Sequence, residues 1–501
     1  MFDIKKRGLF GIFFSITGVI LISKLLGFVK QMITAGAFGA TLETDLINLS
    51  EGFIGNAQYV LVQVLLTAFV AVYIHTQKED ERAARQLAVD VGKAFTLIAG
   101  AIVLLILSFA PAIARVLAPT YSAEDSARLA FYLRLFAPSL FFFVWSAIFH
   151  ALLNANQRFI PGQLEGINQS VILILLMLTL QTTMGVQVLA LAFLIYAVWN
   201  AFFLGAMARP YWTDSRGSPF QNPGVKQLLR MSGPLLLGYS MVYINQQVGK
   251  ILVSGLEAGT VTAMGYAGVL SNLVGTLIGT FCSILFPYIT THISKGEDTA
   301  AAKLVTHSAV MLMTAFLPIT ILTILCSEEI VSIVFGRGAF NAENVQTAAL
   351  ALSGYAVMFV PLVLRELFSR FQYGYQNSKT PMVNSTIGIA ANIILSIVLL
   401  PRFGVFGVTF ASSVSVCICG ILNAITAKKD NANFRLSSLL TCLPWLCLAG
   451  MGCVFAAQWI LETVPTPSPL LRFTAATLCG GGAYLLLAFP LIRTFFRRET
   501  V

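Results

Sequence analysis

Long apolar stretches recur along almost the whole chain and are separated by short polar segments. A helix needs about 20 apolar residues to cross the hydrocarbon core of a bilayer. The pattern therefore predicts an all-α, polytopic membrane bundle of about fourteen transmembrane helices. The predicted spans cover residues 9–30, 46–74, 94–118, 129–152, 160–182, 186–208, 229–254, 261–289, 304–326, 346–375, 382–400, 405–427, 437–460 and 471–492.

Basic residues concentrate in alternate loops. With the N-terminus in the cytoplasm, roughly twenty Lys and Arg residues fall inside and about four fall outside, so the positive-inside rule predicts that both termini are cytoplasmic. This bias accounts for the net charge of +10 without a nucleic-acid partner. Composition agrees with a membrane body, because only 11% of the residues are charged and 57% are hydrophobic.

Sequence motifs for soluble catalysis do not occur. The chain has no GxxxxGK[ST], no HExxH and no plausible catalytic triad, so we expect a transporter without catalytic residues. The eight cysteines lie in or beside apolar segments and form no CxxC pair. We interpret them as small buried hydrophobic residues and expect no metal site and no bound cofactor.

Two segments of the chain repeat one pattern: a helix end, an Asn/Gln-rich turn, a basic residue, a proline and a new helix. Arg158 and Lys379 are 221 positions apart, and Pro161 and Pro381 are 220 apart. Each repeat would contain six predicted spans, an even number, so both halves would enter the membrane in the same direction. Such a parallel repeat predicts a central cavity between two lobes.

The repeat divides the chain into three parts. We predict an N-terminal lobe at 1–225, a C-terminal lobe at 226–430, and a C-terminal helix pair with a basic tail at 431–501.

Ionisable side chains inside spans are costly in lipid and so indicate function. The repeat offset places Lys30 on Lys250, which follows the polar run 245–247. Such cations and amides suit an anionic, hydroxyl-rich substrate, with Lys and Arg for phosphate and amides for sugar. The predicted substrate-binding residues are Lys24, Lys30, Asn245, Gln247, Lys250 and Arg365, and the candidate ion or coupling residues are Asp45, Glu51 and Glu366.

Purely structural roles would also explain several of these residues. Lys30 lies near a helix end and would also suit an interfacial anchor, and the polar run would also suit a clamp between helices. Arg365 and Glu366 would suit a structural ion pair, and Glu165 would be satisfied by neighbouring Asn and Gln side chains.

Several stretches also resemble a known family. The first span reads SKLLGFVK at 23–30, followed by Phe38-Gly39 and Thr44-Asp45, and LLN at 152–154 precedes Arg158-Phe159. These and the 244–256 segment are similar to the MurJ (MviN) lipid II flippases of the multidrug/oligosaccharidyl-lipid/polysaccharide exporter superfamily.

That resemblance implies fourteen helices, two six-helix lobes and alternating access. It implies a multi-pass protein of the bacterial cytoplasmic membrane that moves an undecaprenyl-pyrophosphate-linked precursor, lipid II, to the outer leaflet. Lys24 and Lys30 stand at the positions of family cavity arginines, and Asp45 matches a family acid. The final helix pair would hold the lipid tail. The membrane potential or a monovalent cation would drive transport, and cell-wall synthesis proteins would be the protein partners.

The chain departs from the family pattern at two places in particular. Gln31 replaces an acidic residue, and Gly249-Lys250 replaces Asp-Arg. Three alternatives therefore stay open: a flippase for another polysaccharide repeat unit, a cation-coupled multidrug exporter of the same superfamily, or a membrane scaffold without transport.

Overall fold

The computed structural model describes residues 9–213, 218–431, 434, 437–463 and 468–499, and within these ranges no residue is in a strand. The α-helices are α1 (Leu9–Phe38), α2 (Leu42–Val64), α3 (Val70–Glu79), α4 (Glu81–Leu117), α5 (Ala123–Phe136), α6 (Ser139–Ala155), α7 (Ile160–Gln163), α8 (Glu165–Met184), α9 (Val188–Ala208), α10 (Pro223–Val253), α11 (Thr260–Ser294), α12 (Asp298–Leu325), α13 (Ser327–Phe335), α14 (Ala342–Ala356), α15 (Phe359–Gly374), α16 (Lys379–Asp430), α17 (Ser437–Thr463) and α18 (Pro469–Glu499).

The helices are long and apolar enough to make a membrane bundle. Ten candidate spans occur in the described part of the chain, or eleven if α14 and α15, which meet at a 42° bend, form one broken span. Two candidates, Ile160–Tyr211 and Lys379–Lys429, each enclose two of the predicted spans. The predicted helical membrane bundle is confirmed, and the number fourteen stays a prediction.

α2 and α3 form one continuous helix through a π-helical turn at Leu65–Phe69. The helix begins with a reciprocal cap, in which Thr44 N donates to Thr41 Oγ1 at 3.4 Å and Thr41 N donates to Thr44 Oγ1 at 2.8 Å. This arrangement satisfies amide groups that the first turn leaves without helical partners. The start of α2 is therefore fixed close to the end of α1.

Left-handed backbone residues mark equivalent corners in the two halves. Apart from glycine, positive φ occurs in the described residues only at Gln157 (59°) and Gln376 (58°), 219 positions apart. Two glycine pairs follow the same offset to within one residue: Gly39 with Gly259, and Gly185 with Gly404. These backbone positions follow the offset of the predicted internal repeat. In the sequence, the matched prolines are 220 positions apart and the matched basic residues are 221 apart, so the offset varies by one or two residues around this turn.

Contacts divide the chain into two compact units, residues 1–261 and 262–501. In the first unit, α10 packs against α2 and α4, and α6 packs against α9. In the second, α17 and α18 pack on each other and on α12, where the buried Tyr484 hydroxyl donates to the Thr314 carbonyl oxygen at 2.8 Å. The predicted lobe boundary at 225/226 stays a prediction; in the contact pattern, α10 belongs with the first unit.

Candidate functional site

One face of α2 meets the end of α10 through a row of polar contacts. Asn48, Gly52 and Asn56 are four residues apart and so lie on one stripe of the helix. Lys250 Nζ donates to the Asn48 carbonyl oxygen at 3.2 Å, and Asn56 Nδ2 donates to Gln247 Oε1 at 3.5 Å. Lys250 and Gln247 are three residues apart on α10, so both reach this stripe.

Gly52 provides the space into which the lysine extends. A Cβ at this position would lie 2.6 Å from Lys250 Nζ and 3.2 Å from Gln247 Oε1. No side chain can occupy that point while the ammonium group stays there. The glycine therefore permits the close approach of Lys250 to the α2 backbone.

Glu51 is the acidic residue in electrostatic range of two lysines. Its carboxylate acts electrostatically on both Lys30 of α1 and Lys250 of α10, and all three residues are half-buried. Two ammonium groups against one carboxylate leave one net positive charge in this cluster. We call Lys30, Glu51 and Lys250 the lysine cluster. Charges held away from bulk water attract an anion more strongly than they do in water.

A cavity of about 380 Å³ lies beside the cluster, between α2, α4, α6 and α10. Its wall is mostly apolar, and its polar lining residues are Asn56, Ser240, Tyr243 and Gln247. The buried Nε2 of Gln247 has no hydrogen-bond partner among the described residues. The wall can therefore donate a hydrogen bond to a group that enters the cavity.

The Asp45 carboxylate links two segments of the first unit through a hydrogen bond. Its side chain is 1% exposed, and Oδ2 accepts a hydrogen bond from Gly259 N at 2.7 Å. Gly259 has φ of +92°, and a Cβ there would lie 2.3 Å from the Ala40 carbonyl oxygen. The carboxylate thus joins the start of α2 to the turn after α10. A role in ion coupling stays a prediction for this residue.

The other predicted binding residues of the first unit differ in exposure. Lys24 is exposed on α1, six residues before Lys30, which corresponds to about 9 Å along the helix axis. Asn245 is half-buried on α10. The lysine cluster therefore brings together Lys30, Glu51 and Lys250, with Gln247 beside it, and leaves Lys24 on the exposed surface of α1.

Arg365 and Glu366 belong to the second unit, on α15. Glu366 forms an ion pair with Arg370, one turn further along, and lies 3.8 Å from the Arg365 guanidinium. Arg370 also donates to Ser283 Oγ at 3.1 Å and to the Gly279 carbonyl oxygen at 3.3 Å. This geometry matches the structural ion pair that the sequence left open. A role for Arg365 in binding and for Glu366 in coupling stays a prediction.

Sequence reasoning missed Asn48, Gly52 and Asn56. Their four-residue spacing was a usable signal, because small and amide residues repeated at that interval on an apolar helix form a polar stripe. The spacing alone does not show that this stripe faces α10.

Comparison with known proteins decides the family. The family model described as "Lipid II flippase MurJ" matches residues 34–466, which is most of the chain. The chain belongs to the lipid II flippase MurJ family. The MurJ relatives include a probable lipid II flippase of Rickettsia prowazekii, 23% identical over 88% of this chain and 89% of the relative. A probable lipid II flippase of Thermotoga maritima is 26% identical over 83% of this chain and 85% of that protein.

Solved structures show the same fold. A lipid II flippase MurJ in an inward closed conformation aligns with a TM-score of 0.81 at 20% identity, covering 96% of this chain and all of that one. An inward-facing multidrug resistance MATE family transporter of the MOP superfamily gives a TM-score of 0.67 at 12% identity, over 81% and 94% of the two chains. MurJ membership makes this chain a multi-span membrane transporter and not an enzyme, in keeping with a place in the bacterial inner membrane.

Proposed function

We propose that this MurJ family member moves lipid II, the undecaprenyl-pyrophosphate-linked precursor of peptidoglycan, from the cytoplasmic to the outer leaflet. The observation that supports a role for this chain's own residues is the lysine cluster. An excess positive charge, half-buried among apolar helices, suits a diphosphate and does not suit the cationic drugs of a multidrug exporter.

Binding would begin with exchange of partners at the cluster. Without substrate, Glu51 is the acid that acts electrostatically on both ammonium groups, and a diphosphate carries more negative charge than one carboxylate. The substrate would therefore compete with Glu51 for Lys30 and Lys250. Because Lys250 is held by the Asn48 carbonyl oxygen at 3.2 Å, its ammonium group is already positioned and loses little freedom on binding.

Direction follows from the predicted topology. With cytoplasmic termini, the end of α1, the start of α2 and the end of α10 lie toward the outer leaflet, and so does the lysine cluster. The diphosphate would reach the cluster late in its passage, through alternating access of the two predicted lobes, while the prenyl tail stays in lipid. The groove for that tail would be formed by the helices of residues 437–492.

The energy source belongs to the same proposal. The membrane potential or a monovalent cation would reset the transporter. Of the three candidate acids, Glu51 is the best placed, because a substrate bound to Lys30 and Lys250 would change the charge that Glu51 faces. Asp45 is held by Gly259 N, and Glu366 is held by Arg370. Cell-wall synthesis proteins are the protein partners that we expect.

A reconstituted flipping assay tests the function. Full-length protein in proteoliposomes should move lipid II, and it should move an undecaprenyl-linked glycan of another structure at least tenfold more slowly. The double variant Lys30→Ala/Lys250→Ala should lose at least nine-tenths of the activity but remain folded. Lys303→Ala is the control, because this lysine is exposed on α12 in the second unit. Normal flipping by the folded double variant would refute the role of the cluster.

A further inference from the structure

A second ionisable pair lies inside the first unit, and the transport steps above do not use it. His150 Nδ1 and Glu165 Oε1 are 3.1 Å apart, and the side chains are only 9% and 20% exposed. The pair joins α6 to α8 across the turn at 156–159. Residue Gly162 leaves room for the imidazole, since a Cβ there would lie 2.1 Å from His150 Nε2.

The charges around this pair are few. Among the helices that carry it or pack closest, α6 holds no other charged residue than His150, α8 none other than Glu165, and α7 and α9 none at all. Tyr196 of α9 acts electrostatically on Glu165 and bonds to Gln58 of α2. The other charged groups nearby are exposed, half-buried or have their own partners. Arg158, in the turn between the pair, is exposed and lies over the Tyr211 ring, and Lys24 is exposed. Lys30 and Lys93 are half-buried, His75 pairs with Glu79, and Asp90 accepts from Asn222.

Buried polar atoms without partners occur on the helices that carry the pair and on α9, which packs against both. One helical turn on either side of His150, Ser146 Oγ and Asn154 Oδ1 have no hydrogen-bond partner in the described structure, and the same holds for His150 Nε2. One turn after Glu165 on α8, Asn168 Nδ2 also has no partner in the described residues, and neither do the two side-chain polar atoms of Asn200 on α9. Buried polar groups are normally satisfied, so this interior is suited to water and to the passage of a proton.

In the second unit, the turn equivalent to 156–159 is held by uncharged side chains. The 219-residue offset of the left-handed backbone residues places His150 on Ser369 and Glu165 on Asn384. There, Asn423 Nδ2 donates to Ser369 Oγ at 2.9 Å, and Asn384 Nδ2 donates to Asn423 Oδ1 at 2.8 Å. The same turn therefore forms around neutral hydrogen bonds, and the fold itself does not require an acid and a base at this place.

We propose that His150 and Glu165 form a proton-binding site in the interior of the first unit, separate from the lysine cluster. Without the proton, a neutral imidazole faces a carboxylate and the pair has a charge of −1. One proton, taken from water and shared by the pair, brings the charge to zero. Because burial in lipid disfavours an uncompensated charge, the proton tightens the contact between α6 and α8. Release of the proton loosens it.

Nitrogen NMR of the histidine side chains in lipid nanodiscs tests the proposal without any substrate. The chain has four histidines, and single replacements assign their signals. Spectra recorded between about pH 5 and pH 9 should show His150 gaining a proton, and Glu165→Gln should change the pH dependence of this signal. The control is Glu79→Gln, because His75 and Glu79 form the exposed equivalent, 3.7 Å apart and 77% and 71% exposed. That change should move the His75 midpoint far less.

The outcomes separate clearly. A His150 signal that keeps one protonation state across this range in the wild-type protein overturns the proposal, whatever the variants do. A midpoint unaffected by Glu165→Gln overturns it as well. In proteoliposomes, reversing a pH gradient should change the flipping rate of the wild-type protein at least threefold and should leave the rate of folded Glu165→Gln unchanged. An equal response of the two proteins contradicts an effect of this proton on transport. If no flipping is observed at all, the function proposed above fails while the NMR result still stands.

Discussion

The ammonium group of Lys250 occupies space that Gly52 leaves open, with only 2.6 Å between Nζ and the place of a Cβ on that glycine. The lysine is on α10 and the glycine on α2, so the contact couples one side chain to the position of two helices. Several expected outcomes depend on this and on similar close approaches.

Alanine at position 52 should displace the lysine without unfolding the protein. The atom that must move is the end of a flexible side chain, so we expect nearly normal stability and at least a tenfold loss of lipid II flipping. Gly55→Ala is the matched control on the same helix, because a Cβ there has no neighbour within 4 Å. Equal activity of the two variants would contradict the positioning of Lys250 by Gly52.

Substitutions of Asp45 should affect stability more than transport. Asp45→Ala leaves the Gly259 amide without its acceptor, and losing a buried hydrogen bond to a charged group costs about 1–3 kcal/mol. Asp45→Asn keeps an acceptor of the same shape and should cost less. We expect Asp45→Asn to retain flipping within about twofold, as measured with denaturation and transport in the same preparation. Complete loss of transport in a stable Asp45→Asn protein would instead indicate ion coupling.

The turn between α11 and α12 predicts a pH effect at the surface. His292 Nδ1 lies 2.6 Å from the Glu297 carboxylate, and this hydrogen bond, followed by the positive charges of His292 and Lys295, lowers the pKa of Glu297 below its ordinary 4.5. A lowered carboxyl pKa contributes stability above the ordinary value, and that contribution is lost as the pH falls through the folded value.

The matching measurement compares wild type with Glu297→Gln. The wild-type protein should melt slightly higher at about pH 6, and the difference should vanish at about pH 3. We expect a small effect because the pair is solvent-exposed. A difference that persists or grows at acidic pH would contradict this origin.

Close packing in the second unit predicts a larger stability loss. A Cβ on Gly354 of α14 would lie 2.0 Å from Thr409 Oγ1 and 3.0 Å from the Phe410 backbone nitrogen on α16. Because backbone must move, Gly354→Ala should destabilise the protein by about 1–3 kcal/mol. Gly265→Ala, where a Cβ meets nothing within 4 Å, is the control and should be neutral or slightly stabilising in its helix. Equal melting temperatures would disprove the close contact.

Hydropathy and loop charge were sufficient to predict the helical membrane bundle, and the resemblance of stretches such as 23–30 indicated the family. The first two signals depend on local composition, and the bilayer imposes them on every span. The repeat offset of 220 between Pro161 and Pro381 equals that between Gly39 and Gly259, whereas Gln157 and Gln376 are 219 apart, so the backbone shows a one-residue variation in the offset that matching letters do not reveal.

The site was less predictable. Charged residues in spans are visible in sequence, so Lys30, Glu51 and Lys250 could be nominated. Their grouping could not, because it depends on which face of α2 meets α10, and that is set by packing over the whole helix. The pairing of Glu366 with Arg370 was not predicted, although an acid and a base four residues apart on one helix are neighbours on its surface.

The π-helical turn at Leu65–Phe69 sets the phase of the helix that carries Gly52. Each residue advances the side chains by about 100° in an α-helix and by about 80° in a π-helix, so changing these five residues to regular α geometry without removing any would rotate 42–64 by about 90° against 70–79. The segment would keep its composition and would still be apolar enough to cross a bilayer. Gly52, however, would then face about a quarter turn away from the lysine whose ammonium group it accommodates.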